Sequence, residues 1–498
     1  MKRSVLNAVV GITNQILVLV IGLFTPRLFL LHFGSEVNGI VSSITQVFTY
    51  FILLEAGVGE ASLQALYKPV AEGDKAAISS IVSATGVYYR KTGIYYAIAV
   101  VGFAVIFPFV TTSGVQDITI ALLILIQGAV GVVSYYQYGK FQLLLAAEGK
   151  QYLRISLDSL TRVFANLLRI ILILMGYGLI VVQSSYLIFC VLRAVFVHFY
   201  FKKKYSWLDL SVEPCLDAIS QKNPAMVGTI AWLLFSNVDI IIITVFLNFS
   251  LASVYSLYAT LFGYIGIITK TLSDSVSHIL GQTYNSEKSR YAAKLDSFES
   301  YYYVLIFSAF GVAYRFMLPF LQIYTKGITD INYIDPLLPV LFLAINIISG
   351  IREPSTRTIN YAGHYRQTMV RTIVELIINL VLSLIFVQFM GIYGPLIGTV
   401  IALLYRANDV IMYSNRRLLS RGSWSTYRRA VQNLLLLFLL IVVSDRIPFA
   451  IESYLSIILS AAVCLICYFI LFFGLTSLTD PDALSTFVTA VKRIRHRE

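Results

Sequence analysis

Arg169, Asp239 and Arg315 each stand inside a run of otherwise apolar residues, and Arg27 stands near the end of another. Around Asp239 the chain reads FSNVDIIIITVF, one carboxylate ahead of branched apolar side chains. An ionised group at the centre of a membrane helix costs about 2.5–3.5 kcal/mol on insertion scales, so such groups face a bundle interior or a water-filled cavity. More arginine than acid lies at depth, so a cavity lined by these groups is cationic. Guanidinium forks meet the oxygens of phosphate two at a time. The chemistry indicated is capture of an anionic cargo. The plainer reading is a set of ion pairs between helices. Asp239 fits two roles: pairing with an arginine until cargo competes, or holding a proton or sodium ion that drives a cycle. The sequence leaves both open.

Further polar residues recur at helical spacing. Asp158, Arg162 and Arg169 are four and seven apart and share one face of a helix. Arg371, Glu375, Asn379 and Ser383 step by four, as do Lys270, Asp274 and His278. Asn7, Asn14 and Glu55 sit in the first two apolar runs. Lys270, Glu55, Arg193, Arg406 and Asp409 lie near inner ends, where long side chains reach the headgroups without further purpose. The candidate site is therefore Arg27, Arg162, Arg169, Asp239, Arg315, Glu375 and Asn379.

The elements that must position these residues follow from composition. The chain has 498 residues, 58% hydrophobic and 13% charged, with a mean hydropathy of +0.78. Soluble domains run to roughly 45–50% apolar and about 25% charged, so the solvent is a lipid bilayer. About fourteen runs reach the ~20 residues needed to span it, centred near 10–31, 38–58, 93–112, 118–138, 157–176, 180–200, 224–246, 251–271, 300–323, 336–351, 369–389, 392–412, 430–446 and 452–474. The basic start and long first apolar run read as an uncleaved span. Lys202-Lys203-Lys204, Arg416-Arg417, Arg428-Arg429 and KRIRHR fall on the side shared by both termini, while Lys326 and Arg446 lie opposite. Positive charge marks the inner side, so both ends are expected in the cytoplasm. The net charge of +12 is then topology, and no segment is long enough for a nucleic-acid module. Cys464-x-x-Cys467 lies inside an apolar run and reads as helix packing; the histidines have no metal-ligand spacing. No cofactor is expected.

The second half echoes the first. AEGKQYLRISLDSLTRVFANLLRIILILMGYG precedes YAGHYRQTMVRTIVELIINLVLSLIFVQFMGIYG by about 214 residues, and Arg193-Ala194 matches Arg406-Ala407 further on. Two six-span halves in the same orientation imply a pseudo-two-fold axis along the membrane normal, with a site between them near mid-membrane. The expected organisation is an N-terminal lobe over 1–205, a C-terminal lobe over 206–425, two added spans over 426–478 and a cytoplasmic amphipathic, basic tail over 479–498. The fold class is an all-α polytopic membrane protein.

NVDIIIITVFLNFSLASVYSLY, LHFGSEVNGIVSSI, AEGKQYLRIS and MGIYGPLIGTVIALL, in this order, resemble landmarks of the bacterial polysaccharide transporters, within the multidrug/oligosaccharidyl-lipid/polysaccharide exporter superfamily. The resemblance covers roughly residues 5–475. It implies fourteen helices, two lobes plus two helices, and flipping of undecaprenyl-diphosphate-linked oligosaccharide from the cytoplasmic to the outer leaflet by alternating access, for surface polysaccharide. By motif position it carries over to Arg27 and Asp239. Asn38 stands where the family's turn has tyrosine. The partners implied are a lipid-linked oligosaccharide with an anionic diphosphate, the bilayer itself, and a proton or sodium ion.

Glycan and diphosphate cannot cross hydrocarbon unaided. A wet, cationic cleft would carry them while the tail stays in lipid, and the last two spans could form a groove for that tail. No G-x-x-x-x-G-K-[ST] loop is present, which speaks against ATP hydrolysis. Three competitors remain: a multidrug/cation antiporter, which would favour an acidic cavity; a peptidoglycan-precursor flippase; and a membrane-embedded glycan polymerase or ligase, for which the outer loops are too short.

Overall fold

The computed structural model describes residues 2–51, 58–215, 225–286, 288–447 and 453–485. Glu55 and the tail beyond residue 485 lie outside the described residues, as do the side chains of Asn7, Asn14 and His278. Every element among the described residues is helical.

Where they are described, the fourteen sequence-derived spans fall on helices, but the divisions differ. The first two share one element, α1 (Lys2–Phe51), which bends at Gly34 with φ 82° and ψ 175°. That backbone is open only to glycine, and it turns HFGSEVNG without leaving a loop. Glu36, just beyond, accepts from the Gly114 amide at 2.6 Å and fastens this turn to the next one. α2 (Val58–Glu72) leads through Gly73 to Asp74, whose carboxylate caps α3 (Lys75–Val110) by accepting from Ala76 and Ala77. α4 (Asp117–Val133) runs through a π-helical turn over residues 134–138 into α5 (Gly139–Ala147). α6 (Gln151–Leu174), α7 (Leu179–Lys204) and α8 (Ala225–Phe246) follow. Then come α9 (Phe249–Ser286), α10 (Lys288–Tyr324), α11 (Leu337–Tyr361), α12 (Tyr365–Met390), α13 (Tyr393–Met412), α14 (Trp424–Asp445) and α15 (Tyr454–Thr479).

Ten of the described helices, α3, α4, α7 and α9 to α15, are long and apolar enough to cross a membrane. α6 is long enough, but Asp158, Arg162 and Arg169 keep it out of that set. Large apolar side chains stand bare on the helix surfaces, among them Phe109 at 85% exposure, Phe389 at 82% and Phe438 at 70%. A soluble protein does not leave so many uncovered; in a bilayer they meet acyl chains. The chain is a multi-pass membrane protein.

Contacts divide it into two compact units, residues 1–253 and 254–498. In the first, α1 packs on α6, α8 and α4, α3 on α4, and α7 on both α4 and α6. In the second, α13 lies against α12 and α11, while α10 gathers α11, α14 and α15. The two last helices are thus built onto α10.

The repeat is visible in the backbone. Gly149 (φ 70°) precedes α6 and Gly363 (φ 67°) precedes α12; Gly176 (φ 76°) and Gly391 (φ 55°) follow them. The buried positions correspond as well: Thr161, Ala165 and Ile173 in α6 stand where Glu375, Asn379 and Val387 stand in α12.

Candidate functional site

In the first unit, α6 carries the cations read from the sequence, and their surroundings differ. Asp158 is taken by Arg193 of α7, Nη1 to Oδ1 at 2.5 Å. Arg162, one turn on, is exposed, and no carboxylate pairs with it among the described residues. Arg169 is drawn into the α6–α7 contact, where its Nη2 donates to the Gln183 side-chain oxygen at 3.2 Å.

Arg27, half-buried on α1, lies seven residues before Gly34, and Arg169 lies seven before Gly176. At 1.5 Å per residue each is about 10 Å from its glycine. Phe29 of α1, Ile173 of α6 and Val182 of α7 form one buried cluster at this level, so the structure brings Arg27 and Arg169 onto adjoining helices. Asp239 is 5% exposed on α8. That helix lies close against the second half of α1: Ser43 and Thr244 share a hydrogen bond of 2.5 Å, and Tyr50 of α1 is near enough to feel the Asp239 charge.

In the second unit the stripe Glu375, Asn379, Ser383 forms the buried face of α12. Glu375 accepts from Arg352 of α11 at 2.5 Å and faces Arg406 of α13 at 3.5 Å. Arg406 also meets Asp409 at 2.5 Å and donates to Thr372 at 2.9 Å, while Arg371 meets Asp409 at 2.8 Å. Asn379 donates to Thr399 of α13 at 2.7 Å, and Ser383 to the Pro395 carbonyl at 3.3 Å. These groups compensate one another within the unit. Arg315, near the far end of α10, reaches α14, donating to the Ser444 carbonyl at 3.3 Å and facing Asp445 at 3.4 Å. Its contacts are those of a tie between helices.

Two polar centres were not singled out in the sequence. Arg352, Glu353 and Arg357 lie beyond the expected end of the tenth span, yet α11 continues through Pro354 to Tyr361; Arg357 there meets Asp274 at 2.6 Å and Glu353 at 2.8 Å. Arg429, read as one of a topogenic pair, is 6% exposed. It meets Asp296 at 2.6 Å, Glu299 at 3.1 Å and Asp480 at 2.6 Å, whereas Arg428 is exposed. The signal available was position: Arg429 begins an apolar run, and Asp480 ends another.

Near the start of α6 and just past α7 a third cluster closes the first unit. Glu148 accepts from Lys150 and from the Tyr205 hydroxyl, both at 2.5 Å. Burial, and then that bond to a carboxylate, hold the Tyr205 hydroxyl well above the ordinary tyrosine range. Among the described residues no group of His, Cys, Asp and Glu could hold a metal ion.

No protein-family model matches the sequence, and no curated protein matches it. Solved structures do. One is the inward-facing conformation of a multidrug resistance MATE family transporter of the MOP superfamily, with TM-score 0.66 and 16% identity over 83% of this chain and 98% of that one. Another is the lipid II flippase MurJ in an inward closed conformation, with TM-score 0.64 and 16% identity over 95% of this chain and 99% of that one. A MATE structure in complex with MaD3S aligns with TM-score 0.56. With its helices, repeat and buried charges in this arrangement, the chain is a polytopic membrane protein on the fold shared by MATE transporters and MurJ.

Proposed function

We propose that the chain is a flippase that carries a lipid-linked oligosaccharide with an anionic diphosphate from the inner to the outer leaflet of a bacterial plasma membrane, by alternating access, with both termini cytoplasmic. The observation that carries this reading is the electrostatic contrast between α6 and α12. On α12, Arg371 and Glu375 are matched by partners on α11 and α13. On α6, Arg162 and Arg169 have no carboxylate partner among the described residues. Cations left uncompensated at membrane depth suit an anionic cargo, and guanidinium suits phosphate oxygens.

The likeness to MurJ adds support. It takes in 95% of this chain, against 83% for the MATE transporter, and its named substrate is lipid II. Lipid II and a lipid-linked oligosaccharide pose the same physical problem, a polar head on a lipid tail. A multidrug/cation antiporter on this fold would be served poorly by unpaired arginines. A peptidoglycan-precursor flippase would use them equally well, so the test must separate the two.

The experiment is deletion of the chain in its native cell, followed by return of the wild type, Arg162→Ala and Asp239→Asn. Loss of surface polysaccharide with intact growth, restored by wild type and not by variants present at normal levels, is the expected result. Lysis on depletion would transfer the assignment to a peptidoglycan precursor. Full export by both variants would remove the anionic site.

A further inference from the structure

Gln183 is 4% exposed, and its side-chain oxygen is occupied by Arg169. Its amide nitrogen is buried with no hydrogen-bond partner, and so is Nε of Arg169. The opposite amide orientation would aim an NH₂ group at a guanidinium, so the orientation shown is the one the chemistry favours. The contact therefore presents two unpartnered donors: a buried N–H of a cation beside a buried carboxamide NH₂. Leaving buried donors without a partner is costly, and no carboxylate of the described residues reaches them. What is missing is an acceptor carrying negative charge.

We infer that Arg169 of α6 and Gln183 of α7 form a buried binding site for one anionic acceptor atom, a halide or a single phosphate oxygen, inside the first unit. Ile173 and Val182, which flank Arg169 and Gln183 on their own helices, pack with Phe29 in a buried apolar cluster. Both unpartnered atoms are donors, which suits an anion rather than a cation. The inference shares Arg169 with the function proposed above but needs no cargo, and a donor-only site takes an anion whatever the chain transports.

The test uses the full chain purified in detergent without any lipid-linked substrate. Tm is followed as sodium chloride, or separately sodium phosphate, replaces sodium gluconate at constant ionic strength. Wild type is expected to gain about 2–4 °C by ~100 mM anion, since a ligand that binds only the folded state stabilises it by mass action. Gln183→Glu places a carboxylate beside Arg169 and supplies the acceptor from within. It is expected to match or exceed the anion-free wild type and to lose the gain. Arg169→Met is expected to lose the gain as well. A gain with chloride alone identifies a resident halide; a gain with phosphate alone identifies a headgroup-type oxygen. A flat wild-type response means that water fills the site, and an undiminished gain in Gln183→Glu means that the anion binds elsewhere. Either result overturns the inference and leaves the flippase assignment untouched.

Discussion

Arg193 closes on Asp158 at 2.5 Å and joins α7 to α6, while at the matching place in the second repeat Arg406 joins α13 to α12 through Glu375. One ionic cross-link survives in both repeats although the acid has moved along its helix. Removing one partner of a buried pair costs more than the pair contributes, because the other charge stays behind. Arg193→Ala is expected to lower stability by about 1–3 kcal/mol, with Asp158 left partly exposed. The double variant Arg193→Ala with Asp158→Ala should recover part of that loss. Thermal unfolding in detergent checks it; a double variant worse than the single would show that the pair is not the unit.

Arg429 is the only residue of its pair that the fold uses in this way. It gathers acids from α10 and from the end of α15, so it locks the start of α14 and the end of α15 to α10. Arg429→Leu leaves Glu299 and Asp480 without their cation and Asp296 with Arg421 alone, and the expected cost is about 3–5 kcal/mol. Arg428→Leu, one residue away and exposed, is expected to be neutral within about 0.5 kcal/mol. Membrane-inserted protein levels and Tm of the two variants measure the contrast.

What could be read from the sequence followed from length and polarity. Apolar runs of about 20 residues have only one way to satisfy their backbone in lipid, so the helices were legible. The repeat was legible because its glycine punctuation, Gly149 with Gly363 and Gly176 with Gly391, is required by positive φ. Partnering was not. Asp158 and Arg162 look alike as intramembrane charges, and only the approach of α7 makes one a tie and leaves the other open. Arg352 was missed for a different reason: it lies one residue past the expected end of the tenth span at 351, whereas α11 continues through Pro354 to Tyr361. Arg428 and Arg429 form a dipeptide with one topological meaning and two structural fates.

Gly39 allows the closest approach in the first unit. A Cβ there would come within 1.7 Å of the Phe249 carbonyl oxygen, which is backbone and cannot swing aside. Gly39→Ala must push α1 away from the start of α9 and disturb the Asn38–Ser253 bond of 2.7 Å. Gly178, with nothing within 4 Å, serves as the control. The expected outcome is a Tm several degrees lower for Gly39→Ala and unchanged for Gly178→Ala; overpacking of this kind typically costs about 1–3 kcal/mol.

Arg315 and Arg162 differ in their partners. Arg315 faces Asp445 at 3.4 Å on α14, so its charge has a partner whose position can be exchanged. Arg315→Ala is expected to cost at most about 1 kcal/mol, since Asp445 is half exposed and such pairs are weak, and to leave export close to wild type. Exchanging the two charges, Arg315→Asp with Asp445→Arg, should restore whatever stability the single change removes. Arg162 has no such partner, so no exchange can rescue it: Arg162→Ala is expected to reduce export severalfold at normal protein levels. Measuring surface polysaccharide and membrane content together in the three strains decides the matter. Loss of export in Arg315→Ala that the charge exchange fails to restore would return Arg315 to the anion site and remove its role as a tie between α10 and α14.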